Sequence, residues 1–495
     1  MAQDFTYRLF IDGQWVDASG DETVSVLNPA TEAEIGVVPQ ASTDDAVKAI
    51  AAARTAFDEG PWPRMSARER AAIMARMADI LYRRWDELIA LNVAEAGSTQ
   101  ALAQFLQVGA GLESFRDYAE RVLPAFQFER PMMPYIGAGG TMGIGQGVTH
   151  REAIGVASLI TPFNFPLFLN LFKLGPALAA GCTTILKPSP DTPLEALILG
   201  EVAQEAGLPD GVLNIITGDI DASTELTRNP MVDMVSFTGS DAVGRKVYSQ
   251  ASETLKKVVL ELGGKSANII YEDADLDKVV ADVVGGFIVH CGQGCSLLTR
   301  TLVHESIHDE VVAGVKAALD YVKVGDPADP ETTMGPLISA AQRQRVEALV
   351  RTGQDEGAQI AYGGGRPSGR DAGYFFEPTL FVGVDNSMTI ARREVFGPVG
   401  VVIPFSDDDE AVRLANDSDF GLGGGVWSAD PVRAYNTAKR MRTGMVVVNG
   451  GGGGGLSPYS PFGGYKQSGL GREWGEAGLE EFLQHKSITW GAGRA

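Results

Sequence analysis

Cysteine is scarce in this chain: Cys182, Cys291 and Cys295 are the only three among 495 residues. So few thiols, odd in number, exclude a disulfide framework and suit a reducing compartment. Histidine is also rare, and the five present are scattered. With no serine elbow or metal-type pair, serine-hydrolase and metalloenzyme readings lose ground. Basic residues are outnumbered, giving a formal net charge of -22 at pH 7. Nucleic-acid phosphates and an anionic membrane surface would be repelled. An anionic cofactor is not excluded, because helix N-termini and one or two lysines override the global field locally. No window reaches the roughly 18 uncharged apolar residues of a membrane span. The opening MAQDFTYRLFIDGQW lacks a basic stretch followed by an apolar one, so no secretory signal is expected. The expectation is a soluble, cytoplasmic protein acting on a small molecule, with no nucleic acid and no membrane.

The chain is too long for one compact core, which predicts two large domains, with or without a small appendage. The helical spacing of Ile73, Met77, Ile80, Leu81, Leu88 and Leu91 predicts one long amphipathic helix over Ser66–Glu95. Between Tyr135 and Val148 a glycine-rich stretch, YIGAGGTMGIGQGV, reads as a hairpin or extended arm leaving its domain. From Ala153 short apolar runs alternate with helical stretches such as Pro193–Ala206 and Ala242–Ser252. The runs are Val156–Ile160, Thr184–Leu186, Val212–Ile216, Met234–Phe237 and Val258–Leu260. This order implies a parallel sheet covered by helices on both faces, whose ligands sit beyond the carboxyl ends of the strands. Asn164, Lys187, Gly239 and Glu261 follow those ends. A second alternation continues to about Asn449, with strands expected at Ala267–Tyr271, Thr301–Val303, Val399–Pro404 and Met445–Val448. A glycine run, Gly450–Gly455, follows it.

Several residues have the chemistry of a catalytic site. Cys295, in HCGQGCSLLTR, sits in a glycine-rich turn between a helical run (Asp275–Val289) and a strand. A lone cysteine is more often a small buried hydrophobe, but a turn can present a thiolate, the best side-chain nucleophile near neutral pH. Cys291 and Cys295 have the wrong count and spacing for zinc. Glu261 ends an apolar run; it is either a solvated strand end or, in a cleft, a general base of raised pKa. Asn164, in TPFNFP, is either a turn-stabilising residue or an amide donor that forms an oxyanion hole with the N–H of Cys295. Gly239 and Ser240 follow a strand and open a helix, which suits a pyrophosphate, although G-x-G-x-x-G is absent.

Taken together, the blocks TPFNFP, LKPS, GLPDGVLNIITG, FTGS, ELGGKS, GQGC, EVFGPV and PFGGYKQSGLGRE resemble the aldehyde dehydrogenases. They occur in that family's order, and the likeness runs from about residue 8 to the C-terminus. The resemblance implies an α/β fold: a Rossmann-like parallel-sheet cofactor domain (1–130 and 153–263), a second α/β catalytic domain (264–466) and a small β oligomerisation arm (131–152 and 480–495). It implies Cys295 as nucleophile, Glu261 as general base, Asn164 as oxyanion donor, and Lys173 with Glu473 as a proton-exit pair. Lys187 would hold the adenosine ribose, Gly239 and Ser240 the pyrophosphate, and Glu394 and Phe396 the nicotinamide ribose and ring. Thr161, Pro162, Val243 and Leu262 would also lie along the cofactor.

That cofactor is expected to be NAD. NADP stays open, because Pro190 stands where NAD-using members often carry a glutamate; no extra basic residue appears in KPSPDTP. The implied substrate tunnel, Phe165, Leu169, Phe172, Leu456 and Phe462, contains no Lys or Arg, and Gly294 and Ser296 leave room beside the nucleophile. An uncharged hydrophobic aldehyde fits it better than a dicarboxylic semialdehyde. A CoA-acylating relative would not need the base, so Glu261 favours hydrolysis to the acid. The arm and the strand around Lys486–Trp490 resemble oligomerisation elements and imply a homodimer or homotetramer.

Overall fold

A computed structural model describes residues 5–136, 143–452, 457 and 459–494. Its first sheet has eight strands in the order Gly469–Leu470, Lys257–Glu261, Met234–Thr238, Val156–Ile160, Thr183–Lys187, Leu213–Ile215, Leu9–Ile11 and Gln14–Val16. The five central strands are parallel, while the outer pairings are antiparallel. All residues of these central strands but Lys257 and Val258 are buried, because both faces are covered. Ala157 and Leu159 pack into one core with helices Ala67–Arg83, Pro166–Ala180 and Leu194–Ala206. Val156 and Ile160 pack into another with helices Thr43–Asp58 and Asp241–Ser252. The chain order of the strands reverses beside Val156–Ile160, which lies between Met234–Thr238 and Thr183–Lys187. Such a switch point opens a crevice at the carboxyl ends of the strands.

The second sheet has seven strands, Gln359–Tyr362, Thr379–Val382, Val399–Phe405, Arg300–His304, Ala267–Ile270, Gly424–Trp427 and Val447–Val448, parallel except for the first pairing. It too has a separate core on each face. The expected strand at Met445–Val448 is shorter, and Met445 instead packs on an apolar cluster with Phe165, Phe172 and Phe462. A third sheet pairs Leu483–Arg494 with Gly143–Ala153, and the latter with Glu129–Pro131 and Tyr135–Ile136. The glycine-rich hairpin lies partly outside the described residues. Among the described residues no helix is long and apolar enough to cross a membrane.

The single helix expected over Ser66–Glu95 is two. Ala67–Arg83 starts at a capping box, in which Ser66 accepts from the Glu69 amide and Glu69 reaches back to the Ser66 amide. It ends at Arg84, whose φ of -96° and ψ of 16° break the register before Trp85–Ala96 begins. Arg84 is held there by ion pairs to Glu87 at 2.7 Å and Glu201 at 2.6 Å. Apolar periodicity continues through such a break because both helices face the same core, so the pattern alone conceals it.

Candidate active site

The motif blocks are distant in sequence and meet in space. The backbone after helix Leu276–Ile288 turns through three left-handed residues, His290 (φ 49°), Cys291 (φ 54°) and Gly292 (φ 73°). At position 292 a Cβ would stand 2.0 Å from the carbonyl oxygen of Gly397, so only glycine lets the GQGC loop dock on EVFGPV. Left-handed non-glycine residues cost of order 1–3 kcal/mol each. Gln293 holds the turn: its amide donates to His290 O at 3.1 Å and its side-chain oxygen accepts from Ile338 N at 3.0 Å. The ELGGKS block closes the other side. A Cβ on Gly263 would lie 2.3 Å from the Glu394 carboxylate, and Gly264 N donates to Glu394 Oε1 at 3.0 Å. Ser468, in the last block, donates to Gly263 O at 2.7 Å and accepts at its own carbonyl from Leu262 N at 2.8 Å.

Between these loops lies a cleft of about 520 Å³, lined by Pro162, Asn164, Gly239, Ser240, Glu261, Leu262, Cys295, Glu394 and Phe396 among others. It sits over the carboxyl ends of the strands on either side of the switch point. Phe163, Thr238 and Gly263, which stand inside the quoted blocks, also line it, as do Gln342 and Arg345, which nothing in the sequence marked. Gln342 and Arg345 belong to helix Ala340–Asp355, whose polar residues look in sequence like any solvated face. There Gln342 donates to Phe396 O at 2.6 Å and Arg345 to Glu394 O at 3.0 Å, which fixes the backbone of that loop.

Three expected cofactor residues do not line the cleft itself. Lys187 is buried and donates to Pro188 O at 3.1 Å; burial pushes its ammonium down to about 8. Thr161 is buried and donates to Asn170 Oδ1 at 2.6 Å. Val243 lies in the first turn of helix Asp241–Ser252, where its N–H meets the capping Ser240 hydroxyl at 3.4 Å.

Cys295 is partly exposed. Enclosure by protein, then the carboxyls of Glu394 and Glu261, push its thiol up to about 12, partly offset by the amides of Cys295 and Ser296. His290, in the same loop, is pushed down to about 4 by burial and is neutral, so it brings no charge to Cys295. Asn164 is buried and donates to Gln293 O at 2.9 Å. Glu261 is buried, and neither carboxyl oxygen has a hydrogen-bond partner among the described residues. Burial, and then the nearby Glu473 carboxylate, raise its pKa well above the ordinary value, while Lys173 and Arg472 lower it. Behind it Lys173 and Glu473 form a buried ion pair at 2.6 Å, and Lys173 also donates to Ser236 Oγ at 2.9 Å.

Cys295 borders an apolar cluster of Phe165, Phe168, Leu169, Phe172, Leu422, Phe462 and Trp474. Trp474 stacks on Phe462 at 4.7 Å and meets Phe172 edge-on at 4.6 Å. Phe168 was legible from its helical spacing with Phe165, Leu169 and Phe172; Trp474 had no signal. Leu456 lies outside the described residues.

Whether a dinucleotide fits can be judged from the backbone. Ser240 caps helix Asp241–Ser252, whose first-turn N–H groups suit an anion. A Cβ on Gly239 would stand 2.5 Å from the Phe237 ring, so that turn is kept bare of side chain. Glu394 is raised by burial to about 7 and stands within the cleft as an acceptor for hydroxyls. These residues fit the group.

Comparison with known proteins points to one family. The sequence profile of the aldehyde dehydrogenase family matches residues 15–488. A Staphylococcus saprophyticus protein assigned as an aldehyde dehydrogenase is 41% identical over 489 residues, covering 98% of this chain and 99% of the relative. The Mycobacterium tuberculosis aldehyde dehydrogenase crystallised with NAD+ superposes with a TM-score of 0.92 at 42% identity, covering 98% of each chain. A cysteine-to-alanine variant of Pseudomonas syringae aldehyde dehydrogenase C, in complex with NAD+ and octanal, superposes with a TM-score of 0.91 at 38% identity, covering 97% of this chain and 96% of that one. The match extends along nearly the whole sequence and the whole fold, and the chain belongs to the aldehyde dehydrogenase family.

Proposed function

We propose that this chain oxidises an uncharged, hydrophobic aldehyde to its carboxylic acid with NAD, through a thioester on Cys295. The observation that supports it most is the meeting of Cys295, Asn164 and Glu261 in one cleft at the switch point of a parallel sheet. The NAD+ bound by the two crystallised relatives supports the cofactor.

Gly239 and Ser240 would hold the pyrophosphate, Glu394 and Phe396 the nicotinamide ribose and ring, and Lys187 the adenosine ribose, with Thr161, Pro162, Val243 and Leu262 alongside. Bound there, NAD supplies the hydride acceptor. The side chains do the remaining chemistry. The Cys295 sulfur adds to the aldehyde carbon once its proton is taken up by a base, for which the unpartnered Glu261 carboxyl is suited. The oxyanion is met by the Cys295 N–H and by the Asn164 amide hydrogen not engaged with Gln293. Departure of hydride leaves a thioester on the sulfur. Glu261, having passed on the thiol proton, takes another from water, the water oxygen attacks the thioester carbon, the C–S bond breaks to give the acid and a Cys295 thiolate, and the thiolate recovers the proton held by Glu261. The Lys173–Glu473 pair behind Glu261 receives the proton on its way out.

An apolar wall of Phe165, Leu169, Phe172 and Phe462 beside the nucleophile supports a hydrophobic substrate. The octanal in the Pseudomonas syringae complex is of that kind. We also propose the division into a cofactor domain (1–130 and 153–263), a catalytic domain (264–466) and an oligomerisation arm (131–152 and 480–495). Aliphatic, aromatic and terpenoid aldehydes, each with NAD and NADP, test the proposal through the near-ultraviolet absorbance of the reduced cofactor. Failure with every pair would overturn it.

A further inference from the structure

We infer that Gln107 is a positioning residue for the oxyanion donor Asn164; the inference rests on the role just proposed for Asn164. Gln107 lies in a π-helical stretch, Ala103–Ala110, between Gln100–Leu102 and Gly111–Asp117. The wider π turn shifts side chains off the ordinary helical register, and such turns are frequent at functional sites. Gly111 ends the stretch. A Cβ there would stand 3.2 Å from Phe168 Cα, so glycine lets this segment approach helix Pro166–Ala180 closely.

The result is that Gln107, fully buried, donates from Nε2 to Asn164 O at 2.9 Å and to Ser98 Oγ at 3.1 Å. The orientation of this amide is settled by its partner, because a carbonyl can only accept. Asn164 is thereby gripped from two sides. Gln107 holds its backbone carbonyl, and Gln293 O, two residues before the nucleophile, holds its side-chain amide at 2.9 Å. The grip joins the helix around residue 107, the loop after strand Val156–Ile160 and the Cys295 loop. A rotation of the Asn164 peptide would swing its amide away from the developing oxyanion, and a misplacement of about 1 Å can cost roughly 100-fold in rate. The same stretch contributes to the tunnel side, since Leu106 and Ala110 pack on the apolar cluster beside Cys295.

The test compares Gln107→Met, which keeps length without a donor, with Asn164→Ala and the double variant. The expected result is a fall in kcat of about 10- to 100-fold in Gln107→Met, with the KM for NAD unchanged. The double variant should be no slower than Asn164→Ala alone, because residues acting as a unit are not additive. Gln107→Glu supplies a readout that a packing role would not move. Relative to the wild type it should keep activity at low pH, where the acid O–H donates to the carbonyl, and lose it as pH rises and a carboxylate oxygen faces that carbonyl. Losses that multiply in the double variant would overturn the inference, as would wild-type kcat in either Gln107 variant across pH. Wild-type turnover in Asn164→Ala would overturn the reading beneath it and the inference with it.

Discussion

Replacing Glu261 by glutamine preserves the shape of the side chain and removes its ability to take a proton from water. Neither oxygen of this carboxyl is engaged by a partner among the described residues, and its pKa is raised by burial and by Glu473. In the wild type Glu261 therefore holds its proton to higher pH than an ordinary glutamate. Losing a general base costs roughly 10²–10⁴-fold, or about 3–5 kcal/mol at 1.36 kcal/mol per tenfold. That loss should fall on thioester hydrolysis. Acylation should suffer less, because the thiol can lose its proton by another route. Stopped-flow spectroscopy of Glu261→Gln with NAD and a good aldehyde should show a burst of NADH near about one equivalent per site, then a slow steady state. Mass spectrometry should find the acyl group on the peptide containing Cys295. The steady-state rate of the wild type should rise with pH through the raised Glu261 pKa, and that limb should vanish in the variant. If Glu261→Gln shows neither burst nor adduct, the reasoning is wrong. The carboxylate would then be needed before or during hydride transfer, as the base that activates the thiol.

Other expectations follow from the same groups. Because the Cys295 thiol is pushed up to about 12, iodoacetamide should alkylate the cofactor-free enzyme about tenfold faster per pH unit from about pH 7 to 10; a plateau near neutral pH would contradict this. Cys295→Ala should keep NAD-induced thermal stabilisation and lose turnover, and residual turnover above a small fraction would move the nucleophile elsewhere. Glu195 is pushed to about 8 by burial, beside Glu95, which is also raised. The folded state retains protons that the unfolded chain releases, so the pair's contribution to stability falls as pH rises above the ordinary carboxylate range. Glu195→Gln should therefore raise Tm more at pH 8 than at pH 5, and equal shifts at both would rule the idea out. Light scattering at micromolar concentration should give a dimer or tetramer, since the exposed Ile488 and Trp490 on strand Leu483–Arg494 ask for a partner; a monomer would count against it.

Much of the architecture was legible because its determinants are local. Runs such as Val156–Ile160 and Met234–Phe237 are mostly apolar without strict alternation, as the strands of a helix-covered parallel sheet are. Cys295, Glu261 and Asn164 could be singled out as candidates because each stands in a compact block. Those blocks hold their residues close together for a physical reason. Gly292 lies against Gly397, Gly263 against Glu394, and Ser468 against Gly263, so each segment can vary little without displacing another.

Contacts between segments distant in sequence were decided only by the fold. The break at Arg84 depends on Glu201, more than a hundred residues away, and no periodicity within the helix registers it. Gln342 and Arg345 read as a solvated helix face until the second sheet brings that helix over the cleft. Trp474, with a positive φ of 73° immediately after Glu473, joins the apolar cluster beside Cys295 through contacts with Phe172 and Phe462. The protonation states also belong to the fold. In the sequence Cys295 is a candidate nucleophile of unspecified protonation, and Glu261 is either a solvated strand end or a base of raised pKa. In the folded chain enclosure and neighbouring carboxyls leave the proton on the sulfur and raise the affinity of Glu261 for protons. Sequence by itself thus determined which side chains are available for the chemistry. Tertiary structure decided where their protons reside, because dielectric environment and charge proximity are set by residues that the chain brings together only on folding.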